Sequence, residues 1–221
     1  MNKFLRFFKQ FNVANLGIVA SIAMVIAELL SLLTIILSQS YDDGLYDLFI
    51  TAINVLFYLS IGRYFFRAKN FDDLRSIALA LGILAIFDYV IPSVQTLING
   101  IVNGAVGYAT IVILISGAAI GILYFIFLIL DLRKKLRNPY VVLIIFGSIL
   151  LLINIGLSVV ITLGGIETIS LLSGSGLESI DIAYHVVGII SIFLSALSNL
   201  LFGLVYFLYP IVKWRRLKRG F

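Results

Sequence analysis

Long apolar runs make up most of the chain, and short polar or turn-forming segments divide them. Following each run between its interruptions predicts helices near 13–38, 46–66, 76–98, 108–131, 140–163 and 183–211. Each is close to or above the roughly 20 residues that an α-helix needs to cross about 30 Å of hydrocarbon at 1.5 Å per residue. None shows the polar-apolar alternation of a membrane barrel strand, so the spans are expected to be helical. The expected fold class is all-α: a polytopic integral membrane protein with six transmembrane helices in three hairpins.

Ahead of the first run, Phe4, Phe7, Phe8 and Phe11 recur at i, i+3, i+4, i+7 spacing, with Lys3, Arg6, Lys9 and Gln10 between them. That pattern predicts an amphipathic interfacial helix over 1–12, lying on the membrane surface. No apolar h-region with a small-residue cleavage site follows, so the segment reads as retained. A single transmembrane domain is expected over 13–211 and a basic tail over 212–221. The longest connection, 164–182, is rich in Gly and Ser around IETISLL, a composition that suits a short surface helix or a re-entrant piece. Pro92 is expected to kink the third helix. Gly100 with Gly104, and Gly117 with Gly121, have the GxxxG spacing that lets membrane helices approach closely.

Composition supports the membrane reading, since 62% of the 221 residues are hydrophobic and 12% charged, with a mean hydropathy of +1.14; a soluble domain is far less apolar. Charge then orients the chain. With six spans, all 16 Lys and Arg fall on one side: in the N-terminal segment, at the end of the second helix and in the connection after it, in the fourth connection and in the C-terminal tail. The same side holds Asp72, Asp73 and Asp131, whereas the other carries Asp42, Asp43, Asp47, Glu167, Glu178 and Asp181. The positive-inside rule places the basic side, and with it both termini, in the cytoplasm. A bacterial cytoplasmic membrane is the expected location. The net charge of +5 reads as topology and attraction to anionic lipid, so membrane lipids are expected partners and nucleic acid is not.

The chain has no cysteine and one histidine, which excludes disulfides, thiolate catalysis and the usual zinc sites. It contains no HExxH, no GxSG, no GxGD and no phosphate-binding loop. An enzyme is therefore not expected, nor is a cofactor, and any use of ATP would belong to a separate chain.

The residues that need a reason are the polar ones placed in oil. Glu28 and Asp88 lie roughly 21 Å and 18 Å along their helices, near mid-membrane, beyond the reach of snorkelling. A charge at that depth costs on the order of 3 kcal/mol on insertion scales, so each acid should face the bundle interior or a wet cavity, or be neutral. Spacing supports inward faces: Ser21, Met24, Glu28 and Ser31 form one stripe, and Asp88, Pro92, Gln95 and Asn99 another. Together with Asn54, Asn154 and Asn199 the two acids form the candidate intramembrane proton, ion or substrate site. The structural alternative is interhelical hydrogen bonding, in which Asn54, Tyr58, Asn154, Ser158, Ser195 and Asn199 are the candidate partners. His185, four residues after Asp181, is a candidate outer proton entry, with Ser191, Ser195, Ser198 and Asn199 leading inward from it.

Two functions fit. One is a small multi-pass transport protein, either a carrier or the membrane subunit of a transporter with a separate ATPase, linked to protons or cations through the buried carboxylates. Six spans, cytoplasmic termini and an amphipathic entry helix resemble the permease subunits of ABC transporters and the substrate-binding membrane subunits of energy-coupling-factor importers. That likeness is architectural and rests on no residue motif, so no site is transferred from it; it implies an ATPase as a candidate partner, contacted through 67–75 and 133–138. The other function is a non-transporting scaffold, regulator or immunity-type protein in a membrane complex. Chemistry on a lipid would need head-group cations near the acids, for which Arg63 is the one candidate.

Overall fold

The structure, a computed structural model, describes residues 12–37, 44–71, 73–94, 96, 98, 108–133, 139–172 and 179–219. Regular structure among them is entirely helical: α1 (Val13–Leu37), α2 (Gly44–Phe71), α3 (Leu74–Ala85), α4 (Tyr108–Leu132), α5 (Tyr140–Leu172) and α6 (Ser179–Arg219). A π-helical turn, Ile86–Val90, prolongs α3. All six are long and apolar enough to cross a membrane once that extension is counted, as expected of a multi-pass integral membrane protein. Outward-facing residues agree, since Leu152, Val160 and Leu163 are 60–67% exposed, which hydrocarbon tolerates and water does not. The expected interfacial helix over 1–12 lies outside the described residues except for Asn12, whose side-chain oxygen accepts from the Ala14 N–H at 3.0 Å as α1 begins.

Helix ends differ from expectation where glycine or charge suggested a stop. The 164–182 segment was expected as one long connection, but α5 runs on through Gly164 and Gly165 to Leu172, and α6 begins at Ser179. The physical reason lies in packing. A Cβ on Gly165 would stand 3.0 Å from Ile192 Cγ2, so this glycine brings α5 close to α6 rather than ending the helix. At the other end, α6 continues through Pro210 to Arg219. The third helix starts at Leu74 because Asp73 caps it: its carboxylate accepts from the Arg75 N–H at 3.0 Å and from Ser76 Oγ at 2.7 Å. These bonds, the Ser76 hydroxyl first, hold the Asp73 carboxyl below the ordinary aspartate range.

The chain divides into two compact units, one drawing on Met1–Phe66 and Leu151–Val205, the other on Arg67–Leu150 and Tyr206–Phe221. In the first, α1 packs on α2 and α6. A Cβ on Gly17 would overlap the Phe65 ring, and one on Gly62 would lie 3.2 Å from Ser21 Cβ. Ser191 Oγ donates to the Ala27 carbonyl at 2.8 Å and Ser198 Oγ to the Ala20 carbonyl at 2.9 Å. Each is a hydroxyl spanning a tight helix-helix interface, where lipid offers no competing partner. Ser158 Oγ ties α5 to α6 in the same way, reaching the Ala196 carbonyl at 2.8 Å.

In the second unit, α3 lies against α4 along a seam of small residues. A Cβ on Gly121 would stand 2.9 Å from the Ala85 carbonyl and 3.0 Å from Tyr89 Cβ, so half of the Gly117–Gly121 spacing is used for close backbone approach. Gly100 and Gly104 lie outside the described residues. α5 approaches α6 more closely still, with Gly147 set where a Cβ would be 2.6 Å from the Tyr206 carbonyl oxygen. That carbonyl accepts from the Tyr124 hydroxyl of α4 at 3.1 Å.

Candidate functional site

Glu28 is half-buried on α1, and Asn54 Nδ2 on α2 donates to its Oε1 at 3.2 Å. The two residues belong to one unit and meet as the sequence allowed. Their stripe faces inward as expected: Ser21 and Met24 are buried, and Ser21 Oγ is occupied by the Gly17 carbonyl at 2.8 Å. The partner is a neutral amide, and among the described residues no cation forms an ion pair with Glu28. A neutral donor leaves the carboxyl able to exist with or without its proton, because a protonated acid can still accept through its carbonyl oxygen.

Asp88 belongs to the other unit. It is half-buried in the middle of the π turn Ile86–Val90, four residues before Pro92. Proline has no N–H, so the Asp88 carbonyl cannot receive the ordinary α-helical bond from position 92. The backbone widens here instead: the Ile91 N–H reaches back five residues to the Ile86 carbonyl. Single π turns recur at functional positions in helices, and this one carries the only acid of its span. Where a kink at Pro92 was expected, the helix has a widened turn on the N-terminal side of the proline. Gln95 and Asn99, the remainder of that stripe, lie outside the described residues.

Asn154 is buried on α5, with its Cβ against Gly203 of α6, and its backbone carbonyl, 2.7 Å from Ser158 Oγ, shares that hydroxyl's one proton with the Ala196 carbonyl. Asn199 and His185 are half-buried on α6. Asp181 sits at the start of α6 and its side chain lies outside the described residues. Of the serines expected to lead inward from His185, Ser191 and Ser198 are both engaged with α1 carbonyls.

A groove of about 490 Å³ runs along the first unit between α1 and α2, lined by Ser21, Val25, Ile26, Tyr58, Leu59 and Arg63 among others. It spans roughly 12 Å from Ile18 to Ile26 at 1.5 Å per residue. Its walls are apolar, with exposed Arg63 at one end. Glu28 lies one helical turn past Val25, and Asn54 one turn before Tyr58, so the acid-amide pair stands just beyond the opposite end.

Sequence reasoning missed an ion pair. Asp131, 7% exposed, forms an ion pair with Lys213 across 82 residues of sequence. The Lys213 ammonium also stands 5.9 Å from the Tyr209 ring centroid, a cation-π contact. Asp131 lies within electrostatic reach of the Tyr124, Tyr140 and Tyr209 phenols. The available signal was a single acid set among the basic residues that follow α4, inside ILDLRKK. Among the described residues no three acidic or histidine side chains come together as a metal site would require.

No protein-family model, curated protein or solved structure matches this chain. Its function must therefore be argued from its own residues.

Proposed function

We propose that the protein is a small multi-pass transport protein of a bacterial cytoplasmic membrane, a carrier or the membrane subunit of a transporter with a separate ATPase, with both termini cytoplasmic. Glu28 and Asp88 act as its proton- or cation-binding groups. The observation that carries this reading is the setting of Glu28: a half-buried carboxyl deep in a span, bonded to the neutral Asn54 amide, beside a groove open along the helix pair. An intramembrane acid without a fixed cation is what proton- or cation-linked transport uses. The π turn that carries Asp88 adds support, since single π turns recur at functional positions in helices.

One set of observations favours the second reading, a non-transporting scaffold or regulator. Ser158, Ser191, Ser198 and the Glu28–Asn54 pair all join helices, and such bonds contribute about 0.6–2 kcal/mol each to helix association. Flux in proteoliposomes across a panel of ions and small solutes separates the two. The transport reading expects the parent to move at least one member of the panel and Glu28→Gln and Asp88→Asn to abolish that movement; flux unchanged in both folded variants refutes the carboxylate role. For orientation, a cysteine at Asn138 should label from the cytoplasmic side and one at Ser175 from the opposite side.

A further inference from the structure

We propose that the α1–α2 groove is a binding site for one anionic phospholipid, an acyl chain lying between the helices with its phosphate on Arg63. The groove's volume, about 490 Å³, falls in the roughly 300–1,000 Å³ range of small-molecule sites. Its surface suits hydrocarbon. Ile22, Ile26, Leu59 and Phe66 line it and are each 42–55% exposed, so it opens sideways to whatever surrounds the helix pair, which for membrane-spanning helices is lipid. Ser21, the hydroxyl on its α1 wall, donates within its own helix to the Gly17 carbonyl and offers no proton to a ligand. Gly62 keeps the floor low, because a Cβ there would meet Ser21 Cβ at 3.2 Å.

Charge selects the occupant and its direction. Arg63 is exposed at one end of the groove and forms no ion pair with any described residue, leaving its planar fork of donors for a phosphate. The other end points toward Glu28, one turn past Val25, and has no cation among its lining residues to receive a phosphate. A phospholipid therefore fits one way, chain inward and phosphate at Arg63. Arg63 lies on the C-terminal part of α2, which carries Arg67 and Lys69 toward its end at Phe71, and basic residues mark the side on which anionic lipid is attracted. The inference is independent of transport, because a bound lipid would serve a carrier and a scaffold alike.

The test is lipid retention by the purified full-length protein. After exchange into detergent, the protein is offered equal phosphatidylglycerol and phosphatidylcholine in mixed micelles, and native mass spectrometry counts the lipid retained. The parent should keep one phosphatidylglycerol in preference to phosphatidylcholine by about fivefold, the effect of one cation near the surface. Arg63→Gln should equalise the two lipids, and Val25→Trp, which fills the groove, should lose both. Inorganic phosphate should not displace the lipid, since the chain supplies much of the binding. Equal retention of the two lipids by the parent, an unchanged preference in Arg63→Gln, or displacement by phosphate would overturn the proposal. If Val25→Trp does not fold, Leu59→Trp fills the groove from α2, and full retention in that folded variant also overturns it.

Discussion

The Tyr124 hydroxyl donates to the Tyr206 carbonyl at 3.1 Å, and Tyr206 lies four residues before Pro210, the proline inside α6. Proline carries no N–H, so in a regular α-helix the carbonyl four residues earlier loses its donor. In hydrocarbon no water replaces it, and neighbouring helices must. Gly147 completes the arrangement by letting α5 come within van der Waals range of the same carbonyl. One bond from α4 thus explains how a 41-residue helix passes through a proline.

Removing the Tyr124 hydroxyl should therefore cost more than its size suggests. Tyr124→Phe removes this donor from a carbonyl inside the helix bundle and is expected to destabilise the protein by about 1–3 kcal/mol. In a Pro210→Ala background, where residue 210 regains its N–H, the same substitution should cost much less. Unfolding in detergent followed for the four proteins of this cycle measures the coupling; additive effects would show that the hydroxyl does not replace the helical donor. Tyr209→Phe is the contrasting control. The Tyr209 hydroxyl is buried and has no hydrogen-bond partner among the described residues, so its removal should be neutral or stabilising.

The Asp131–Lys213 pair predicts an asymmetry. Asp131 is the more buried member, with 5% of its side chain exposed against 17% for Lys213. Lys213→Met strands a buried carboxylate and is expected to cost about 3 kcal/mol. Asp131→Asn leaves a lysine that can extend toward water and should cost less. The double substitution should be milder than Lys213→Met alone. Thermal unfolding in detergent ranks the three, and equal costs for the two single variants would contradict the burial argument.

Much of this was legible from the apolar runs alone. Each of the six expected spans has a helical counterpart, because helix length in a membrane is set by hydrophobic thickness, which a single sequence displays. The Glu28–Asn54 contact was among the foreseen pairings, because a carboxyl in oil has few places to go. What could not be read was which polar residue meets which across distant parts of the chain. Asp131 looked like one more charge in a basic connection until Lys213, 82 residues away, was seen beside it. The extension of α5 past Gly164 was hidden for a related reason: a glycine that ends a helix and one that admits a neighbouring side chain look alike until Ile192 is in place.

Glycines should accordingly fall into two groups. At Gly121 and Gly147 an added Cβ would stand 2.9 and 2.6 Å from a backbone carbonyl oxygen, and alanine is expected to destabilise by about 1–3 kcal/mol. At Gly156 and Gly164 nothing lies within 4 Å, and alanine should be neutral or stabilise by up to about 1 kcal/mol through helix propensity. A detergent melting series over the four alanine variants checks the order, and a loss at Gly156 as large as that at Gly121 would contradict it.

Asp73 supplies a pH dependence with a definite sign. Its carboxyl is held below the ordinary range, chiefly by the Ser76 hydroxyl. Its contribution is therefore present above the unfolded aspartate value of about 3.9 and lost as pH falls through the lower folded value. Asp73→Ala should weaken the start of α3 by about 1 kcal/mol, and Ser76→Ala should move the Asp73 titration back toward its ordinary value. Hydrogen exchange at the Arg75 and Ser76 amides follows both effects. An unchanged exchange rate in Asp73→Ala would remove the cap from the account.

The most direct test of the proposed function is solute flux in proteoliposomes compared between the parent and Glu28→Gln. Glutamine can still accept the Asn54 hydrogen bond through its carbonyl oxygen, so the helix contact survives while the ionisable carboxyl proton is lost. The transport reading predicts an unfolding midpoint close to that of the parent and flux reduced to the background of empty vesicles. Flux equal to the parent's in the folded variant would contradict it and leave Glu28 as a link between two helices.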